Sequence, residues 1–137
     1  MINIKQIDDK ELPELIELNY QYNQCLVTKH NRFNSTKSLL DRLATPHALA
    51  LGLYRDSKLL GFTIGYGLSK ETFYFTDMYI VQKARYYTSK LLIESESFIK
   101  SLGYTSWTSE SHTKDGMRMF KHYGAKIVEI KYYKDIQ

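Results

Sequence analysis

His112 lies in SESHTKD (109–115) and has an unperturbed pKa near neutrality, so it could serve as a general base. The same polar string also reads as an ordinary surface loop. Asp77, in TDMYI (76–80), is the carboxylate set most closely among apolar neighbours. Its ordinary pKa of about 3.9 makes it a base near pH 7 only if burial raises it. The plainer reading of Asp77 is a sheet-edge residue in a hydrogen-bonded turn. His30, His47 and His122 show no partner spacing, and no His/Cys/Asp grouping has metal-ligand spacing, so no metal is expected. Cys25 lacks a nucleophile signature and reads as a small buried or half-buried side chain. Tyrosines occur as close pairs, Tyr20 with Tyr22, Tyr86 with Tyr87 and Tyr132 with Tyr133. Tyrosine offers contact area and a hydroxyl handle, which suits an interface with a protein partner or a second copy.

These residues sit in a chain of 137, sized for one domain spanning 1–137. Its 19 Lys+Arg against 15 Asp+Glu give +4, spread along the chain rather than gathered in a basic arm. A nucleic-acid patch is therefore not expected, while an acidic small molecule fits. Hydrophobic content of 43% with two prolines argues against disorder. One cysteine cannot form an internal bridge, and no signal peptide or membrane-length apolar run is visible, so a cytoplasmic protein is expected.

Several elements must position the candidates. Ile2 to Gln6 alternates as a strand. Asp8 and Glu11 form a capping box for a helix running to about Gln24, with Leu12, Leu15, Ile16 and Tyr20 on one face. Thr28 to Asn34 reads as loop. Ser35 starts a second helix carrying Leu39, Leu40 and Leu43, stopped by Thr45-Pro46. His47–Tyr54 and Leu59–Leu68 are strands joined through Arg55–Lys58, and Thr72–Val81 is a third long strand. Thr88–Leu102 is a helix ended by Gly103, Tyr104–Glu110 a strand, Asp115 or Gly116 to Tyr123 a helix ended by Gly124, and Lys126–Lys134 the last strand. The order β-α-α-β-β-β-α-β-α-β is an α+β or mixed α/β fold, with helices on both faces of a mostly antiparallel central sheet.

That order, together with LALGLYRDSKLLGFTIG (49–65), FTDMYIVQKARYYTSKLL (75–92) and SHTKDGMRMFKHYGAK (111–126), resembles the GCN5-related N-acetyltransferase (GNAT) superfamily. The resemblance implies an acetyl-CoA site where the fourth and fifth strands part, with the pyrophosphate on the helix after the fourth strand. It assigns the pantetheine arm to the backbone of Met78, Tyr79 and Ile80, and the pyrophosphate to Arg85, Tyr86, Tyr87, Thr88 and Ser89. Asp77 or Glu110 would handle the acceptor amine, with Glu71 a further nearby carboxylate. Aminolysis of a thioester needs a neutral amine beside the carbonyl and a group to remove its proton.

The chain also departs from the family pattern. Tyr86 and Thr88 stand where glycines cradle phosphate, and the loop is about two residues short. Phe120 occupies the position of the tyrosine that often acts as general acid, and Tyr123 is turned about 300° round the helix from it. Met117, Met119, Phe120 and Tyr123 read more simply as packing. Two functions follow. One is an N-acyltransferase acting on an amine of a protein or small molecule. The other is a non-catalytic GNAT-like binding or assembly module with a degenerate cleft, comparable to small phage virion proteins.

Overall fold

The computed structural model describes residues 1–24, 36–110, 114–126 and 136. Cys25, His30, the loop expected over Thr28–Asn34, Ser35, His112, Thr113, Tyr132, Tyr133 and all but the first residue of the expected last strand lie outside them. The described strands are β1 (Ile2–Gln6), β2 (Ala48–Arg55), β3 (Lys58–Gly67), β4 (Thr72–Ile80) and β5 (Ser106–Ser109). The helices are α1 (Leu12–Gln24), α2 (Thr36–Leu43), α3 (Thr88–Ser101) and α4 (Lys114–His122). The strands form one sheet in the order β1-β2-β3-β4-β5. β1 to β4 are antiparallel neighbours, and β5 returns parallel to β4 after the α3 crossover.

Local chemistry accounts for the boundaries. The Asp8 carboxylate accepts from the Lys10 amide at 3.0 Å and the Glu11 carboxylate from the Asp8 amide at 3.3 Å, so the expected capping box is present. It caps a short 3-10 turn (Asp9–Glu11) that leads into α1. The β2–β3 turn places Asp56 and Ser57 at φ 50 and 70, the twist a tight hairpin needs. Gly103 and Gly124, at φ 102 and 88, end α3 and α4 in Schellman stops. In these stops Tyr104 and Ala125 donate back to the carbonyls of Ile99 and Phe120. The α3 stop uses Tyr104, so β5 begins later than its apolar pattern suggests, at Ser106.

Glu11 also supplies a pH dependence. Burial raises its pKa, but the neighbouring Tyr54 hydroxyl, the Asp8 backbone and the Lys5 ammonium more than offset that, leaving it below its ordinary 4.5. The unfolded carboxylate therefore takes up its proton first as pH falls. The stability Glu11 contributes is complete above 4.5 and is lost as pH drops through the lowered folded value. Urea midpoints measured stepwise below about pH 5 should fall less steeply for Glu11→Gln than for the parent. Parallel curves would show that the box does not titrate with folding.

Side chains divide between the two sheet faces. On one, α1 and α2 cover Ala50, Tyr54, Leu59, Phe62 and Ile64 with Leu15, Leu18 and Leu39. Complete burial of a side chain such as Phe62 stabilises the fold by roughly 1.5–3 kcal/mol. On the other face, α3 packs Leu91 and Ile99 over Leu51, Leu53, Leu60, Phe73, Phe75 and Ile80. Two expectations for the helix faces are corrected. Tyr20 is 62% exposed, and the buried position on that turn of α1 belongs to Asn19. Leu40 of α2 is exposed as well, while Leu39 is fully buried. The inward position of Asn19 goes with Arg42 of α2, which reaches into the interface and donates to its side-chain oxygen.

Candidate active site

β4 is where the sheet becomes irregular. Ile64 of β3 faces Asp77 while the next residue, Gly65, faces Phe75, so Thr76 is an extra residue, a β-bulge. The bulge shifts the alternation by one. Phe73 and Phe75 pack beneath α3, whereas beyond it Met78 and Ile80 take that face and Asp77 and Tyr79 turn towards α1 and α2. Gly65 permits the close approach: a Cβ there would run into the Tyr74 carbonyl and the Phe73 ring.

The parting of strands begins at the same place. β4 and β5 pair only from Thr72 with Ser106 to Phe75 with Ser109, and the Ser109 hydroxyl closes the last rung on the Phe75 carbonyl at 2.9 Å. The β4–β5 register ends there, while β4 runs on to Ile80 alongside β3. The resulting notch opens at the carboxyl ends of two parallel strands, the usual place for a ligand in such a sheet. Met78, Tyr79 and Ile80 form its β4 wall. A cleft of about 280 Å³ lined by His47, Leu49, Phe73, Leu102 and Tyr104 lies at the opposite end of β4, away from the notch.

Above the notch, the short glycine-free passage is a 3-10 turn, Gln82–Tyr87, running directly into α3. Ala84 is fully buried and anchors the turn against Leu53, Leu60, Ile80 and Leu91. Neither Tyr86 nor Tyr87 plugs the notch. Tyr86 is 86% exposed, and the Tyr87 hydroxyl accepts from Arg55 of β2 at 3.1 Å, turning that ring away from β5. The phosphate end is engaged in other ways. The Thr88 amide bonds to the Arg85 carbonyl, and the Thr88 hydroxyl donates to the same oxygen at 2.7 Å. The Ser89 hydroxyl meets that of Tyr123. Lys83 and Arg85 stand exposed on the turn.

The candidate carboxylates lie in contrasting settings. Asp77 is buried, its Oδ2 2.9 Å from Arg42 Nε and accepting from the Thr76 hydroxyl at 2.7 Å. Arg42 also donates to Ser38 at 2.8 Å and to Asn19 at 3.5 Å. Glu110 directly follows β5 at the mouth of the notch and is exposed. On the sheet face turned towards α1 and α2, Ser106 and Thr108 are exposed, and Tyr74 meets Tyr66 edge to face at 5.5 Å. Phe120 packs against Trp107 at 5.5 Å, consistent with a packing role. The sequence reading singles out neither Arg42 nor Asn19, and takes Tyr123 as packing. For Tyr123, a position half-buried beside the start of α3 is a tertiary fact with no local signal.

No protein-family model matches the chain, and no curated protein matches it. Solved structures do. A ribosomal-protein-alanine N-acetyltransferase from Brucella melitensis biovar Abortus 2308 superposes with TM-score 0.76 at 17% identity, covering 100% of both chains. The chain has the GNAT fold. A soil-metagenome aminoglycoside acetyltransferase, in complex with sisomicin, gives TM-score 0.75 at 15% identity over 99% of this chain and 97% of that one. PaiA N-acetyltransferase from Thermoplasma acidophilum, in complex with coenzyme A, gives 0.74 at 18% identity over 96% and 93%. Among the described residues no helix is long and apolar enough to cross a membrane, and no group of three or more His, Cys, Asp or Glu could hold a metal ion.

Proposed function

We propose that the protein is an acetyl-CoA-dependent N-acyltransferase acting on a primary amine of a protein or small molecule. The observation that carries this is that β4 and β5 stop pairing at Phe75 and Ser109, just before the 3-10 turn that leads into α3. A pantetheine arm is an amide-bearing chain, and the backbone of Met78, Tyr79 and Ile80 fits it as a strand partner would. The phosphate end fits through side chains more than through backbone. The Thr88 amide is already bonded, so Lys83 and Arg85 supply the charge, with Ser89 and Tyr123 hydroxyls at the first turn of α3. Binding should accordingly weaken steeply with salt. When bound, the thioester supplies an acyl group activated for transfer to nitrogen. Glu110 draws in the protonated amine and receives its proton, while the Tyr66–Tyr74 pair presents ring faces to the cation.

Calorimetric titration with acetyl-CoA, followed by thiol release in the presence of small diamines and amine-bearing peptides, tests the reading. Saturable binding with turnover supports it, and absence of binding at millimolar acetyl-CoA removes it. Glu110→Gln should lower kcat/KM for the amine by about 10²–10⁴-fold with acetyl-CoA affinity unchanged. An unaltered kcat/KM would take Glu110 out of the reaction.

The bonded phosphate end favours a second reading, a non-catalytic binding or assembly module of the kind found in virions. It predicts a stable oligomer or complex through tyrosine-rich contacts and no turnover, where the first predicts turnover by the isolated chain.

A further inference from the structure

We infer that Arg42 is a positioning residue, whose ion pair with Asp77 pins the Thr76 bulge and so holds the β4 edge apart from β5 for the acyl donor. The inference rests on the acyltransferase reading for its consequence but not for its geometry. One carboxylate oxygen of Asp77 gathers the α2 guanidinium at 2.9 Å and the hydroxyl of the bulge residue itself at 2.7 Å. That Thr76 hydroxyl is also 3.2 Å from the Ile64 carbonyl, across the step in register. Arg42 is fixed in turn by Ser38 on its own helix and Asn19 on α1. The chain α1–α2–β4–β3 therefore converges on the one residue at which β4 changes its alternation.

Burying such a pair adds little net stability over well-packed apolar residues, because desolvation offsets the attraction. What it supplies is location. Side chains 13% and 1% exposed have little room to move, and Arg42 is further held by its bonds to Ser38 and Asn19. The Met1–Asp56, Lys5–Glu11 and Lys90–Glu94 pairs each have at least one well-exposed partner, whereas the side chains of Arg42 and Asp77 are 13% and 1% exposed. With the pair absent, a one-residue bulge can migrate along β4 to a neighbouring position, which would misplace the Met78–Ile80 edge.

Asp77→Asn keeps the side-chain shape and removes the charge, and Thr76→Val removes the hydroxyl link. Both should weaken acetyl-CoA binding by about ten- to a hundredfold. They should also speed hydrogen exchange at the Met78, Tyr79 and Ile80 amides while leaving β2 unchanged. Leu39→Ala is the control: it opens a cavity beneath α2 while removing none of the cluster's polar groups, lowers the urea midpoint, and should bind acetyl-CoA as the parent does. Parent-like affinity in both cluster variants, or an equal loss in Leu39→Ala, overturns the inference. If the parent itself binds no acetyl-CoA, the acyltransferase reading fails on its own and the exchange rates decide. Unchanged Met78–Ile80 rates in Asp77→Asn then overturn the positioning role, and accelerated rates uphold it.

Discussion

Arg42→Met is expected to lower the free energy of unfolding by about 3–5 kcal/mol, read from urea curves at neutral pH. The loss comes from what remains, since the Asp77 carboxyl group, with its side chain 1% exposed, would be left in the core without its guanidinium. Domains of this size are stable by roughly 5–15 kcal/mol, so the variant would be near the edge of folding. Adding Asp77→Leu to Arg42→Met should recover most of the deficit, because an apolar pair of similar volume has no charge to desolvate. A single Arg42→Met variant within about 1 kcal/mol of the parent would mean that the carboxylate finds other solvation once the guanidinium is gone.

Deleting Thr76 should have the opposite profile, retaining the fold and abolishing the site. With the extra residue gone, Phe75 still faces α3 and Asp77 still faces α2, because the deletion removes the step in register that the bulge introduced. Both hydrophobic clusters therefore keep their members. What is lost is the bend at which β4 leaves β5 and exposes its edge. Two or three backbone hydrogen bonds to a pantetheine arm, at about 1 kcal/mol each, amount to roughly 30- to 150-fold in acetyl-CoA affinity. A folded deletion variant that binds acetyl-CoA like the parent would show that the bulge does not create the site. A ratio of β4 to β5 pairing unchanged by NMR would place the cause of the parting elsewhere.

Much of the framework was legible because its determinants are local. The Asp8–Glu11 box, the glycines at 103 and 124 and the Asp56-Ser57 turn each act within a few residues, and each appears where the chain predicted it. The bulge left a trace that was available but not used. Apolar residues at 73 and 75 change to even numbers at 78 and 80, a slip of one in a period of two. The aromatic residues between them, Tyr74 and Tyr79, obscured it by suiting either face. The same ambiguity led to the wrong choice between Tyr20 and Asn19. A tyrosine looks like core, and an asparagine becomes core only when a distant arginine needs it.

The amino-acid order alone determined the succession of strands and helices, their stops and the absence of a glycine cradle before α3, since these depend on backbone conformation and short-range periodicity. Only the tertiary structure decided that Asp77 is held by Arg42, 35 positions away, rather than left free as a base, and that Tyr86 and Tyr87 leave the notch open. The physical reason is that a charge's role depends on which charge reaches it through the core. That partner is chosen by packing α2 against a bulged strand, which no window of neighbouring residues encodes.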